Sequence, residues 1–317
     1  MRNSRFYKVL PPIGLILLVL LMSQGWTLAA QAQPMGLVTS IPPLGDFARQ
    51  IGGKDVRVTV LVKPGENPHI LNFKPAQLRA LDKAQVLVLN GLGLEFWSRT
   101  LVNALDNAEL IIVHCAEGLL ESVDHKAEEE NAGASKKIKE KGHEEHAHEG
   151  QDPHVWLDPV YAVGLVDCIR DVLIQVDPKR AGRYSSRAAS LSARLATLHQ
   201  DFVRVLAPAR GRTILSFHEG YGHLARRYGL RNLGVVEGFT DLEPTPGRMA
   251  KVIREVRRLR VKAIFAEPQF SSRTAQVIAQ ETGARVAFLD PLGGVDGEGY
   301  EAMMRRNLAE LSKALLE

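Results

Sequence analysis

Residues 178–206, PKRAGRYSSRAASLSARLATLHQDFVRVL, form a long helical pattern in the middle of the chain. Apolar side chains recur there every three or four positions and no glycine follows Gly182, so one helix of about 25 residues is predicted. The periodic positions are Leu191, Leu195, Leu198, Phe202 and Val205. Such a helix would span about 38 Å. We predict a rigid connection, because flexible linkers are richer in glycine and serine.

Short β-branched runs lie on both sides of this helix and alternate with other helical patterns. They cover residues 56–62, 85–90, 110–114, 213–217, 262–266 and 285–289. This alternation predicts an α/β fold with two lobes, each with a central parallel β-sheet flanked by helices, joined by one long rigid helix. The predicted boundaries are residues 35–177 for the N-terminal lobe, 178–207 for the connecting helix and 208–317 for the C-terminal lobe.

The first 32 residues have the pattern of a signal peptide. Arg2, Arg5 and Lys8 precede an apolar run over residues 13–22, and small residues follow at positions 30 and 32. A transmembrane anchor is the alternative, but the run is shorter than the roughly 20 residues that cross a bilayer. No cysteine lies near the predicted cleavage site to carry a lipid. We therefore expect an exported, freely diffusing protein, in the periplasm of a double-membrane bacterium, with no membrane insertion after cleavage.

The net charge of the chain comes mostly from this leader. The sequence has 40 lysines and arginines against 36 acidic residues, and removal of the three leader cations leaves 37 against 36. Nucleic acid or an anionic membrane would require a concentrated basic surface, and the near balance of charge predicts none.

The chain has two cysteines, Cys115 and Cys168. They could form a disulfide in an oxidising compartment. Cys168 lies in an apolar helical pattern, however, where a small buried thiol is the commoner interpretation.

Residues 121–150 differ from the rest of the chain. They contain nine acidic residues, five lysines and four histidines, with hardly any apolar side chain. Such a composition cannot bury enough surface to fold, which predicts a disordered loop inserted in the first lobe. Its histidines, His125, His143, His146 and His148, suit weak metal binding, and the alternative is an ordinary solvated charge run.

Four residues at loop edges are the candidate metal ligands. His69 follows a strand in the loop VKPGENPHILNFKP, His154 precedes a helix in QDPHVWLDP, and His218 follows a strand in TILSFHEGYGHL. Asp290 ends a strand in ARVAFLDPLGG. Each residue alone is more often a cap or a loop hydrogen-bonding group than a ligand. Together they make three imidazoles and one carboxylate, which form a natural tetrahedral set for zinc.

These motifs resemble the zinc-binding solute-binding proteins of ABC importers, in the cluster A-I metal-binding family. The similarity covers nearly all of the predicted mature chain, including SIPPLGDFARQIGG, NGLGLEFW, DPHVWLDP, FHEGYGHLARRYGL, FAEPQFS and FLDPLG. The resemblance implies that His69, His154, His218 and Asp290 bind Zn²⁺. It further implies a monomer that delivers the ion to a permease and its ATPase, and no enzymatic activity.

In the family that this chain resembles, the residue at the third ligand position distinguishes zinc-binding members from manganese-binding members. Manganese importers usually carry glutamate where His218 stands, and imidazole favours zinc. The chain departs from the family pattern at Leu71, where many relatives have an aromatic residue, and at Pro68, where some have glutamate. The loss of that glutamate increases the weight of Asp290 as the fourth ligand.

Other functions are also compatible with parts of the sequence. A manganese- or iron-binding member of the same family is one, and an adhesin or metal buffer is another. HEGYGH is similar to the HExxH motif of zinc hydrolases but holds one residue more. His218 and His223 would then stand about 140° apart on a helix and could not chelate one ion together. Glu219 could serve as a general base only if Asp290 were not a ligand.

Overall fold

The computed structural model of this chain describes residues 33–71, 73–103, 105–120, 151–216, 218–235, 245–269, 272–293 and 297–317. The predicted signal peptide and the predicted His-rich loop over residues 121–150 lie outside the described residues. Residues Pro34–Glu317 form one compact unit. Among the described helices, none combines the length and the apolar composition needed to cross a bilayer.

The first sheet has four parallel strands in the order β2-β1-β3-β4. The strands are β1 (Met35–Thr39), β2 (Val56–Val60), β3 (Val86–Leu89) and β4 (Ile111–His114). Helices α1 (Pro42–Gly52), α2 (Pro75–Asp82) and α3 (Ser98–Asn103) connect them. All four residues of β3 are buried, as expected for a strand that helices cover on both faces.

The second sheet repeats this topology, with four parallel strands in the order β6-β5-β7-β8. The strands are β5 (Thr213–Ser216), β6 (Arg231–Val235), β7 (Ala263–Ala266) and β8 (Arg285–Phe288). The helices of this half are α6 (Gly222–Tyr228), α7 (Pro246–Leu259), α8 (Arg273–Thr282) and α9 (Tyr300–Leu316).

Two consecutive helices lie between the sheets in the sequence. Helix α4 (Pro159–Val176) is capped by Asp158, whose carboxylate accepts a hydrogen bond from the backbone N–H of Val160 at 2.9 Å. Helix α5 (Ala181–Leu206) is 26 residues long and confirms the predicted connecting helix. Its buried face consists of Tyr184, Ala188, Leu191, Leu195, Leu198, Phe202 and Leu206. That face packs against α1, α4 and α9.

The predicted fold class is confirmed, with two parallel sheets flanked by helices and a long helix between them in the chain. One large apolar cluster runs from the first sheet through α4 and α5 to Ile214, Tyr221 and α9. A smaller cluster lies between the second sheet and helices α7 and α8. Because the large cluster is shared by both halves, the exact lobe boundaries at residues 177 and 208 stay a prediction.

All six predicted strands are present. Five are shorter than predicted by one or two residues, and Phe217, the last residue of the other predicted strand, lies outside the described residues. Strands β1 and β6 were not predicted. Each has five residues and a glycine, in MGLVT and RNLGV, and neither shows the continuous β-branched run by which the others were found. Strand β1 nevertheless lies at the centre of its sheet, where its pairing with β2 and β3 outweighs weak local preference.

Cys115 and Cys168 form a disulfide, with their Cα atoms 5.6 Å apart. The expectation that Cys168 is a buried thiol was therefore wrong. Cys115 directly follows β4, and Cys168 lies on α4, so the bond fastens the edge strand of the first sheet to that helix. The helical pattern around Cys168 identified the helix correctly but carried no information on its neighbour in space.

The disulfide should stabilise the fold by constraining the unfolded chain. The cysteines are 53 positions apart, and closure of a loop of that size corresponds to about 4 kcal/mol of unfolding free energy. We expect the variant with both Cys115→Ser and Cys168→Ser to lose about this amount in urea unfolding followed by circular dichroism. The reduced wild-type protein is the control and should match the variant; equal midpoints for oxidised and reduced protein would contradict the prediction.

Candidate metal site

The second sheet brings His218 and Glu267 together at the carboxyl ends of its two central strands. The chain runs from β5 outward to β6 and then crosses back to β7, so the strand order reverses between β5 and β7. Ligands of α/β proteins bind outside the carboxyl ends of strands at this reversal. His218 follows β5 and Glu267 follows β7, and His218 Nδ1 donates a hydrogen bond to Glu267 Oε1 at 2.6 Å.

His154 lies in the segment that leads into α4. Its backbone N–H and its ring Nδ1 both donate hydrogen bonds to Asp152 Oδ1, at 3.0 and 2.8 Å. The second half of the chain fixes this segment from the other side, because Trp156 Nε1 donates to the carbonyl of Pro291 at 2.6 Å. His154 is 1% exposed, so its ring cannot exchange these contacts for water.

His69 lies in the irregular loop between β2 and α2. Its backbone N–H donates to Asn67 Oδ1 at 2.9 Å, which closes a tight turn before the histidine. Trp97 Nε1 donates to the carbonyl of Pro68 at 3.0 Å, and the Trp97 ring packs edge-on against Phe73. These aromatic residues support the His69 loop. They do so although Leu71 stands where many members of the family that the chain resembles have an aromatic residue.

The three imidazoles converge in one buried cluster. One ring nitrogen from each of His69, His154 and His218 lies within 4.8 Å of the other two, and no other such group of potential ligands occurs among the described residues. His218 Nε2 and His154 Nε2 are 3.0 Å apart. Two nitrogens bound to one tetrahedral zinc ion would be separated by about 3.3 Å. The His154 and His218 nitrogens therefore have nearly the spacing that a zinc ion requires.

The carboxylates behind two of the rings determine which nitrogen faces the cluster. A carboxylate only accepts hydrogen bonds, so the Nδ1 atoms of His154 and His218 carry protons toward Asp152 and Glu267. This leaves Nε2 of each ring for a cation. Carboxylates that support metal-binding histidines act in this way, because they fix the ring orientation and increase ligand basicity.

Burial and neighbouring charges give the three histidines different affinities for a proton. Burial, with the nearby rings of His154 and His218, lowers the pKa of His69 to about 3. Burial also lowers the pKa of His154, against the effect of Asp152. Burial would lower the pKa of His218 as well, but the carboxylate of Glu267 outweighs it and raises that pKa above 6.5. Of the three, His218 holds a proton most tightly.

The structure places Asp290 near this cluster but with its carboxylate engaged elsewhere. Asp290 Oδ1 accepts from the backbone N–H groups of Leu292 and Gly293 at 3.0 and 2.9 Å, and from Gln269 Nε2 at 3.3 Å. Asp290 Oδ2 accepts from Arg306 Nη2 at 3.1 Å. The group of potential ligands within 4.8 Å holds the three histidines and not Asp290, so ligation by Asp290 stays a prediction.

Three residues of the site were not predicted as functional. Glu267 and Asp152 support the ligand candidates, and His223 supports Asp152, because its Nε2 donates to the backbone carbonyl of Asp152 at 2.9 Å. The signal for Glu267 was available, since it is a carboxylate directly after the buried strand AIFA. The role of His223 could not be found from the sequence, because Asp152 is 71 positions away.

The site lies around a cavity of about 10 Å³ lined by the three histidines, Trp156, Glu267 and Gln269. This is room for one water-sized particle. Together, the fold and the site define a two-sheet α/β protein with a buried centre suited to a single cation.

The chain belongs to the family described as zinc-uptake complex component A, periplasmic (ZnuA), whose model matches residues 37–314. This confirms the resemblance to zinc-binding solute-binding proteins. The zinc-binding protein AdcA of Streptococcus pyogenes serotype M3 is 29% identical over 287 residues, which cover 87% of this chain and 55% of AdcA. The chain thus spans about half the length of AdcA. A putative metal-binding protein of Treponema pallidum is 26% identical, with 88% of this chain and 86% of that protein covered.

Solved structures share the architecture. A crystal structure of ZnuA aligns with a TM-score of 0.74 at 29% identity, and covers 89% of this chain and 99% of that chain. A ZnuA deletion mutant with zinc bound aligns with a TM-score of 0.72 at 29% identity, with 89% and 98% covered.

The pKa difference among the histidines predicts how zinc affinity depends on pH. Zinc must displace the Nε2 proton of His218, so affinity should fall as pH decreases through the raised pKa of that residue, by about tenfold per unit. His69 and His154, with lowered pKa values, should contribute only at lower pH. Glu267→Gln removes the main charge that raises the pKa of His218; Asp152 and Glu219 are the other acidic groups that raise it.

We expect Glu267→Gln to bind zinc about 10- to 100-fold more weakly at pH 7.5 and to show a shallower fall in affinity between about pH 7.5 and 5.5. Competition titrations with a chromophoric chelator across this range measure both effects. If the plots of log Kd against pH have the same shape for variant and wild type, Glu267 does not set the proton affinity of His218.

Proposed function

We propose that this protein captures a zinc ion with His69, His154 and His218 outside the cytoplasmic membrane and delivers it to an ABC importer. The convergence of three buried imidazoles from separate segments is the observation that carries this proposal. Burying three imidazoles together without a ligand gives no evident structural benefit, because each loses hydration. A cation that binds one ring nitrogen of each histidine compensates for that cost.

The chemistry of the cluster favours zinc over harder divalent ions. Neutral imidazoles are borderline-soft donors that suit zinc, whereas manganese prefers carboxylate and carbonyl oxygens. Burial keeps His69 and His154 neutral near pH 7, which is the protonation state that a metal requires. The zinc-bound ZnuA mutant and the zinc-binding AdcA proteins, as their names state, support the same ion for this chain.

The size of the site supports ion capture over catalysis. A catalytic zinc keeps an open coordination position for water or substrate. The cavity of about 10 Å³ between the histidines, Trp156 and Gln269 has room for an ion but none for an organic substrate beside it. The proposal is therefore a binding protein and not a hydrolase, in agreement with the solute-binding family.

We propose Asp290 as the fourth ligand, by way of its Oδ2 atom. Backbone N–H groups hold Oδ1, whereas the partner of Oδ2 is Arg306, whose side chain is 42% exposed and can turn to solvent. Release of that ion pair would free one carboxylate oxygen without disturbing the loop after β8. Three imidazoles and this oxygen would complete a tetrahedral shell.

The cellular role is proposed from family membership and from the sequence. A cleaved signal peptide over residues 1–32 would export the protein to the periplasm, where a monomer would present zinc to the permease of an importer driven by its ATPase. The His-rich loop over residues 121–150 would gather zinc weakly and pass it to the buried site.

Removal of any one of the three histidines should abolish tight binding. We expect His69→Ala, His154→Ala and His218→Ala each to weaken zinc binding by at least about 100-fold in calorimetric titrations, because a lost ligand costs more than a lost supporting group. Asp290→Asn, which keeps an acceptor for the backbone N–H groups, should weaken it by about tenfold if Asp290 is a ligand.

His114→Ala is the matched control, because His114 is exposed and lies outside the cluster. It should bind zinc like the wild type. In a strain that lacks the gene, wild-type protein and His114→Ala should restore growth under zinc limitation, and His218→Ala should not. Full growth of the deletion strain without any added copy would disprove the import role, and tight binding by all three alanine variants would disprove the site.

A carboxylate in place of His218 should change the preferred metal. His218→Glu replaces a nitrogen donor by a hard oxygen donor at the same strand end, so the ratio of manganese to zinc affinity should rise by at least about tenfold. Glu267 then faces a second carboxylate, so the variant is best combined with Glu267→Gln. Competition binding with both metals measures the ratio, and an unchanged ratio would remove the basis for assigning zinc through His218.

A further inference from the structure

Helix α7 concentrates positive charge on the surface of the second half. Residues 248–262 contain seven lysines and arginines and one acidic residue, Glu255. Arg248, Lys251, Arg254 and Arg258 recur at intervals of three or four positions and therefore lie on one side of the helix. The near balance of total charge predicted no concentrated basic surface, and that prediction was wrong, because the balance conceals this local excess.

This basic face points away from the protein interior. Met249, Val252, Ile253, Val256 and Leu259 form the opposite side of the helix and pack into the apolar cluster over the second sheet. Arg248, Lys251 and Arg254 are exposed. The packing of its apolar side thus fixes the orientation of α7, and its cations are exposed to solvent.

Most of these cations have no acidic partner among the described residues. Arg258 pairs with Glu255 at 2.6 Å and Arg257 with Glu281 at 3.3 Å. No ion pair to Arg248, Lys251 or Arg254 occurs in the part of the chain that the structure describes. Mutual repulsion along one helix face costs free energy, so an unneutralised stripe of this kind favours an anionic partner.

The positive surface continues beyond the end of α7. A shallow depression of about 480 Å³ lies there, lined by Arg257, Arg260, Lys262 and Arg285, with Glu317 as its one acidic residue. Lys262 and Arg285 lie at the amino ends of β7 and β8, whereas Glu267 and Asp290 follow the carboxyl ends of the same strands. The depression therefore lies at the amino ends of the strands, opposite the carboxyl ends at which the candidate metal site lies.

We propose that the outer face of α7 and the adjoining depression bind the anionic headgroups of a phospholipid bilayer. We propose a bilayer as the partner because of charge complementarity. Dispersed lysines and arginines on one surface attract an anionic bilayer without the need for a shaped pocket. None of the exposed large apolar side chains of the described residues lies on α7, so contact stays at headgroup depth. Because the metal site lies at the opposite ends of the strands, adsorption through α7 does not cover the surface around that site.

The test is sedimentation of the purified protein with lipid vesicles at low ionic strength. Wild-type protein should bind phosphatidylcholine vesicles that contain about 30% phosphatidylglycerol and should not bind pure phosphatidylcholine. The triple variant Arg248→Glu, Lys251→Glu and Arg254→Glu should bind the anionic vesicles at least about tenfold more weakly. Binding should also fall as salt is added, because exposed charges are screened.

The matched control is the triple variant Lys54→Glu, Arg57→Glu and Lys83→Glu, which changes the net charge equally at exposed positions of the first half. It should bind within about twofold of the wild type if the α7 face carries the interaction. Unchanged zinc stoichiometry in both triple variants shows that they are folded and separates this test from the proposed zinc function.

Three outcomes would overturn the proposal. The first is no binding of wild-type protein to the anionic vesicles. The second is an equal loss of binding in the two triple variants, which would show that only net charge matters. The third is tighter binding to duplex DNA than to vesicles at the same concentration of negative charge, which would show a nucleic-acid surface.

Discussion

The hydrogen bond between His218 and Glu267 is the interaction on which the candidate metal site depends. It joins the ends of two neighbouring strands, so parallel pairing of β5 with β7 brings the two residues together before any ion arrives. The same bond turns Nε2 of His218 toward His154 and keeps a proton available on the ring. One contact thereby determines the position, the orientation and the proton affinity of a ligand.

The pKa values of His69 and His218 shift in opposite directions although burial acts on both in the same way, and the difference follows from their neighbours. Desolvation penalises the charged form of every histidine in the cluster. At His69 nothing outweighs that penalty, so the ring is neutral at any pH at which the protein would be used. At His218 the charge of Glu267 outweighs it. A proton on His218 Nε2 can then be donated to neutral His154 Nε2 at 3.0 Å, which satisfies both buried nitrogens with a proton in place of a metal ion.

The sequence was sufficient for the features set by local pattern. The spacing of Leu191, Leu195 and Leu198 identified α5, and the positions of His69 in a loop after a strand and of His218 near a strand end indicated two members of the triad. The sequence was not sufficient for features that depend on contacts between residues distant in the chain. Strand β1 and the bond between Cys115 and Cys168 depend on partners that are distant in the chain. Asp290 has the right residue type at a strand end, yet local backbone N–H groups compete for its carboxylate.

The contacts around the triad distinguish the His69 loop from the other two ligand segments. The His154 segment is bound to the second half by the hydrogen bond of Trp156 to Pro291, and by that of Tyr300 Oη to the carbonyl of Trp156 at 2.6 Å. Two hydrogen bonds, to Asn67 Oδ1 and to the carbonyl of Pro68, attach the His69 loop to the first half. Separation of His154 from His218 would therefore break buried hydrogen bonds between the halves, each worth roughly 1 kcal/mol. The positions of His154 and His218 relative to each other are therefore fixed by contacts outside the triad as well as within it.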